Sequence, residues 1–85
     1  MGRQRTTLQG TITRGGAPLP RAYVQLRDPA GEFTGERRTL DDGAYLFYLE
    51  PGRWRLVVFA AGGTRLEREI EIPAGDAARL DIDLG

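Results

Sequence analysis

Residues 41–63, DDGAYLFYLEPGRWRLVVFAAGG, contain two apolar segments that are separated by a Pro-Gly pair and followed by a Gly pair. Both segments alternate with the two-residue period of a β-strand. We predict one strand over residues 43–49 and a second over residues 53–60, and the turn at Pro51 and Gly52 predicts that they form a hairpin. Both strands are apolar on both faces, so one face of this hairpin can enter a core while the other needs a different explanation.

Turn-forming sequences rich in Gly, Pro and Asp recur along the rest of the chain, and short alternating segments lie between them. No helical periodicity is present. Seven short strands separated by such turns predict an all-β antiparallel sandwich or barrel. The mostly polar segment 33–40 is expected to be an edge strand or an extended loop. The other strands are predicted over residues 7–13, 22–28, 64–72 and 78–84.

The length of 85 residues predicts a single domain over residues 1–85, in which residues 1–6 are a disordered segment or a short arm. Twelve Arg balance twelve acidic residues, so the net charge is zero and nucleic acid is not an expected partner. No apolar run approaches the roughly 20 residues of a membrane span, and the first ten residues lack the apolar part of a signal peptide. We therefore expect a cytoplasmic protein without a membrane partner.

The chain contains no Ser, Cys, His, Lys or Asn, which removes most nucleophiles, general bases and soft metal ligands. Acidic residues are the remaining candidates for chemistry. Asp28, Glu32, Asp41 and Asp42 lie in predicted loops, but their sequences are those of ordinary turns and lack calcium-loop spacing. The acidic residues near the C-terminus alternate along strands, as on a solvated outer face. We expect no catalytic residue, no metal and no cofactor.

Two stretches resemble a known family. GTITRGGAPLPRAYVQLRD, residues 10–28, and the stretch 41–63 resemble carboxypeptidase regulatory-like domains. This resemblance implies a seven-stranded antiparallel β-sandwich of the transthyretin-like (prealbumin-like) type. AYVQLRDPAGEFTGE and PGRWRLVVFAAGGTR are similar to a family of short uncharacterised actinobacterial proteins. One branch of the fold hydrolyses 5-hydroxyisourate with His, Arg and a Ser-containing tail, and this chain has neither His nor Ser.

The second apolar face of the predicted hairpin is the candidate functional site. With Trp54 and Leu56 at the centre of the core, alternate residues of both strands point outward. Clustered aromatic and aliphatic side chains beside an Arg are typical of protein interfaces. The candidate partner-binding residues are Leu46, Tyr48, Arg55, Val57 and Phe59, and Tyr23 extends the patch if its strand joins the same sheet.

The sequence is compatible with several different occupants of this face. The first is a second copy of the chain, giving a homo-oligomer, and the next is a different protein partner. Alternatively, residues 63–72 or the N-terminal arm could cover the face within the monomer. A small ligand or a sugar could stack on Tyr48 and Phe59 while Arg55 bonds its hydroxyl groups. Pairing through the edge segment 33–40 is a second route to a dimer.

Overall fold

The computed structural model describes residues 6–75 and 77–85, which form nine β-strands and no helix. Within this part of the chain there is accordingly no helix that could cross a membrane. The prediction of an all-β fold is confirmed. The strands are β1 (Thr6–Arg14), β2 (Ala17–Pro18), β3 (Tyr23–Arg27), β4 (Phe33–Arg38), β5 (Ala44–Leu49), β6 (Gly52–Ala60), β7 (Thr64–Ile72), β8 (Ala77–Arg79) and β9 (Ile82–Asp83).

The strands form two sheets that enclose one core. The first sheet has the order β4–β3–β6–β7, with every pair antiparallel. The second sheet is built around β1, which pairs antiparallel with β2 and β5 and parallel with β8 and β9. The polar segment predicted as an edge strand or loop is β4, at one edge of the four-stranded sheet.

The predicted hairpin of residues 43–60 is wrong. β5 pairs with β1, whereas β6 pairs with β3 and β7, so Pro51 and Gly52 carry the chain from one sheet to the other. Gly52 has a φ of 134°, which residues with a side chain rarely adopt, and the indole of Trp54 donates a 2.8 Å hydrogen bond to the carbonyl of Glu50 across the crossing. A hairpin and a crossing between sheets both give each strand one buried face, so alternation could not distinguish them.

The last predicted strand is divided, and it runs parallel to β1 rather than antiparallel. Between β8 and β9 the carboxylate of Asp81 accepts a 2.8 Å hydrogen bond from the backbone N–H of Thr11. The carbonyl of Leu80 accepts a 2.6 Å bond from the hydroxyl of Tyr45. These side-chain bonds add to the backbone hydrogen bond from the N–H of Leu80 to the carbonyl of Gln9. Burial raises the pKa of Tyr45 well above its ordinary value, so its hydroxyl stays protonated and able to donate.

The core lies between the inner faces of the two sheets. Leu56 is fully buried as expected, but Trp54 is only partly buried and packs at the margin of the core rather than at its centre. Thr6, assigned by the sequence to an N-terminal arm, is buried and begins β1 opposite Leu49, while residues 1–5 lie outside the described residues. The buried apolar residues between the sheets are Leu8, Ile12, Ala22, Val24, Leu26, Tyr45, Phe47, Leu56, Val58, Ile72 and Ile82.

Candidate functional site

The structure divides the predicted partner-binding patch between the two sheets. Tyr23 and Phe59 are directly opposite one another on the outer face of the four-stranded sheet, and Val57 and Arg55 follow on the same face of β6. The remaining two predicted residues belong to the other sheet, because β5 does not pair with β6. Four of the six predicted residues therefore share a face, and Leu46 and Tyr48 lie elsewhere.

An aromatic row crosses the outer face of the four-stranded sheet near one end. The strand registers align Arg38, Tyr23, Phe59 and Arg65 from β4 to β7. The guanidinium carbon of Arg38 lies 5.5 Å from the ring centroid of Tyr23, and that of Arg65 lies 5.8 Å from the ring centroid of Phe59. Both distances are within the range of cation–π attraction. This aromatic row is the most apolar part of the face, and Tyr23 is 42% exposed.

A middle row follows, in which Glu36, Gln25, Val57 and Glu67 are aligned across the four strands. Gln25 Nε2 donates a 3.0 Å hydrogen bond to Glu36 Oε1. Val57 is 0% exposed although its position is on the outer face. Its cross-strand neighbours are the long side chains of Gln25 and Glu67, so this valine is sealed within the monomer and cannot contact a partner directly.

A cationic row lies beyond the middle row, where Arg27, Arg55 and Glu69 are aligned on β3, β6 and β7. Arg55 Nη2 is 3.1 Å from Glu69 Oε2, and Arg55 Nε is 4.0 Å from an oxygen of Glu67. Arg27 instead donates to Gln25 Oε1 at 2.8 Å and to the carbonyl of Gly31 at 3.0 Å. With no carboxylate within salt-bridge distance of Arg27 among the described residues, the row keeps a positive charge.

The outer face of the other sheet carries the two displaced residues. Leu46 is 38% and Tyr48 is 55% exposed, and their cross-strand neighbours on β1 are the polar residues Gln9 and Thr7. Single exposed apolar side chains in a polar setting are ordinary features of protein surfaces. This face therefore lacks the contiguous apolar area that the predicted hairpin would have provided.

Residues 63–72 were one of the segments that could have covered the predicted patch. In the structure residues 64–72 of this segment form β7, which extends the four-stranded sheet instead of crossing over it. Its outward side chains flank the patch, where Arg65 is ion-paired to Glu67 beside the ring of Phe59. The aromatic row is thus bordered by β7 rather than buried beneath it.

The acidic residues near the C-terminus are not simply a solvated face. Asp83 accepts hydrogen bonds from the backbone N–H groups of Gly85, Gly16 and Gly15 and from the hydroxyl of Thr13. These bonds, the one from Gly85 first, hold the pKa of Asp83 below its ordinary value. In the loops, Asp28 and Asp42 accept backbone N–H groups of their own turns. No three acidic side chains within residues 6–75 and 77–85 are grouped closely enough to hold a metal ion.

Arg27, Arg38 and Arg65 lie on the candidate face but are not among the partner-binding residues predicted from the sequence. Each of the three is the cross-strand neighbour of a residue that was predicted. Their positions depend on three registers, those of β3 with β6, β3 with β4 and β6 with β7. Alternation within one strand gives the face on which a side chain lies but not its neighbour on the next strand.

The chain belongs to the DUF1416 family. The model of this family, described as proteins of unknown function, matches residues 2–84. No curated protein is similar enough in sequence to be matched.

Solved structures with the same architecture come from proteins of different activities. The TIE protein of Bacillus anthracis matches with a TM-score of 0.81 and 18% identity over 94% of this chain, which spans 17% of that protein. Catechol 1,2-dioxygenase from Acinetobacter sp. ADP1 matches with a TM-score of 0.71 and 16% identity over 98% of this chain and 53% of that one. The 5-hydroxyisourate hydrolase of Klebsiella pneumoniae matches with a TM-score of 0.66 and 20% identity over 100% of this chain and 91% of that one.

At these identities the similarity concerns fold alone. The DUF1416 chain has a transthyretin-like β-sandwich fold, as the sequence resemblance implied. The strand count differs from the predicted seven because β2 is an added short strand and the last predicted strand is divided.

Proposed function

We propose that this DUF1416 protein is a non-catalytic interaction module that works in the cytoplasm and docks a protein through the outer face of its four-stranded sheet. The observation that carries the proposal is the aromatic row, in which Tyr23 and Phe59 lie side by side between Arg38 and Arg65. Aromatic and Arg side chains contribute most of the binding energy at many protein interfaces. We also propose that the chain is related to the two groups that its sequence resembles, the carboxypeptidase regulatory-like domains and the short actinobacterial proteins.

A second copy of the chain is the partner that the register favours. If a two-fold axis runs across the strands along the middle row, the aromatic row of one copy faces the cationic row of the other. Tyr23 then lies over Arg27, Phe59 over Arg55, and Arg65 over Glu69, each contact occurring twice. The axis also brings together the two copies of Glu67 and the two copies of Glu36. Each Glu67 is already paired with Arg55 and Arg65 of its own chain, and each Glu36 accepts a hydrogen bond from Gln25.

The alternatives receive less support from the same geometry. The sugar platform of Tyr48, Phe59 and Arg55 does not form, since Tyr48 lies on the other sheet. The fold occurs in hydrolases and dioxygenases, but the residues that the hydrolase branch needs, His and Ser, are absent from this sequence.

The test is the solution mass by light scattering after size exclusion, with Phe59→Glu as the variant and Leu46→Glu as its matched control. Both substitutions place a carboxylate on an outer face, but only Phe59 belongs to the aromatic row. We expect a dimer for the wild type and for Leu46→Glu, and a folded monomer for Phe59→Glu.

Two results contradict the proposal of self-association through this face. One is a wild type that stays monomeric over the whole accessible concentration range. The other is dissociation by Leu46→Glu while Phe59→Glu remains a dimer, which would move the interface to the other sheet. Circular dichroism of each variant separates loss of association from loss of folding.

A further inference from the structure

β7 is the longest open edge of the molecule. It pairs with β6 over nine residues in an uninterrupted register, and within residues 6–75 and 77–85 no strand pairs with its other side. The edge strand β4 is shorter and irregular, with a register shift at Leu26 and Arg27. The edge of β5 is partly occupied, because Arg37 Nε donates a 3.3 Å hydrogen bond to the carbonyl of Leu46. β7 therefore offers the most regular row of backbone donors and acceptors to an added strand.

A charged residue interrupts the apolar side of β7. Leu66, Ile70 and Ile72 alternate on the side that faces the core, and Arg68 occupies the position between Leu66 and Ile70, opposite Leu56. Arg68 is exposed, and its Nη1 donates a 3.0 Å hydrogen bond to the carbonyl of Glu67. That acceptor is neutral, and among the described residues no carboxylate lies within salt-bridge distance of Arg68.

The residues around Arg68 define what an added strand must carry. Leu66 and Ile70 are only partly buried, and an added strand would shield their remaining apolar surface. On the opposite side of β7, Glu67 and Glu69 already pair with Arg55. An added strand therefore needs one negatively charged side chain beside Arg68, flanked by apolar side chains that face Leu66 and Ile70.

We propose that the free edge of β7 is a docking site for an extended peptide strand from another protein. The strand would place an acidic side chain opposite Arg68 and apolar side chains opposite Leu66 and Ile70, while its backbone hydrogen-bonds to the edge. Main-chain pairing gives such strand addition its affinity, and alternate side chains give it specificity. A second copy of β7 does not fit this pattern, because the antiparallel register that pairs Leu66 with Ile70 sets Arg68 against Arg68.

The proposal is tested by fluorescence anisotropy with two labelled peptides. The first peptide has the core sequence Val-Thr-Glu-Thr-Val, flanked by threonine and glycine residues. The second peptide has lysine in place of the glutamate. We expect wild type to prefer the glutamate peptide by about tenfold, because attraction is exchanged for repulsion at one cross-strand pair. Arg68→Glu should reverse the preference, whereas the matched control Arg65→Glu, on the outer side of the same strand, should leave it unchanged.

Hydrogen exchange with and without the glutamate peptide locates the contact, and we expect added protection of amides in β7. The proposal is overturned if neither peptide binds, if both bind equally, or if Arg65→Glu reverses the preference as Arg68→Glu does. Phe59→Glu should bind the peptide like wild type. The proposal for the β7 edge and the proposal for the aromatic row are therefore tested independently.

Discussion

At Gly10 the backbone of β1 lies against the chain segment between β8 and β9. A Cβ atom at this position would lie 1.8 Å from the carbonyl oxygen of Leu80 and 3.0 Å from the hydroxyl of Tyr45. The same carbonyl accepts the hydroxyl of Tyr45, so the three groups form one close contact between the first and last parts of the chain. Only glycine allows this approach, because it has no side chain.

We predict that Gly10→Ala destabilises the protein by at least about 1–3 kcal/mol, since the carbonyl of Leu80 must move and strain the pairing of β8 and β9 with β1. Urea unfolding followed by circular dichroism measures the effect. The matched control is Gly35→Ala in β4, where the nearest heavy atom to an added Cβ is a ring carbon of Phe47 at an ordinary 3.9 Å. Equal losses of stability in the two variants would contradict this account of Gly10.

At the scale of the strands, burial depends on which face of its own sheet a side chain occupies. β6 carries Leu56 on its inner face, and β5 carries Leu46 on the outer face of the other sheet. Leu56 is fully buried within the core, whereas Leu46 keeps more than a third of its surface exposed. The same residue type therefore contributes very differently to folding in two consecutive strands.

Leu56→Ala is expected to lower the free energy of unfolding by about 2–5 kcal/mol, because it removes buried methyl groups and leaves a cavity between the sheets. Leu46→Ala, the same substitution on an outer face, should change it by less than about 0.5 kcal/mol. Urea unfolding of the two variants, side by side with the wild type, is the measurement. A large loss from Leu46→Ala would show that the outer face of β5 is covered in solution.

For the molecule as a whole, Asp83 ties the C-terminal segment to the first turn of the chain. Its carboxylate accepts backbone N–H groups of Gly15 and Gly16, almost seventy residues away in sequence, and those bonds help to lower its pKa. A carboxylate with a lowered folded-state pKa adds stability above its ordinary value of 3.8. That contribution is lost as the pH falls from 3.8 through the lower pKa of the folded protein.

Asp83→Asn should therefore be less stable than the wild type at neutral pH. The difference should shrink as the pH falls from 3.8 through the lower pKa of the folded protein, below which the wild-type carboxyl group is also neutral. Urea unfolding over a pH series measures this difference directly. Asp41→Asn, in the exposed turn before β5, is the control for a general charge effect. A difference between Asp83→Asn and wild type that stays constant down to the lowest pH would refute the role given to this carboxylate.

The sequence by itself determined the all-β class and the positions and inner faces of five strands, β1, β3, β5, β6 and β7. The resemblance carried by residues 10–28 and 41–63 added the transthyretin-like fold. These features are local, because a two-residue period places each side chain on one face whatever its strand pairs with. For the same reason Tyr23, Arg55, Val57 and Phe59 were correctly assigned outward positions.

The tertiary structure decided which strands are neighbours. It separated Leu46 and Tyr48 from Phe59, sealed Val57 beneath longer side chains, and added Arg38 and Arg65 to the candidate face. The crossing at Pro51 has the same local pattern as a hairpin, and the two differ only in the long-range contacts that β5 and β6 make. Pairing and register are set by burial summed over both sheets, which no single segment of sequence contains.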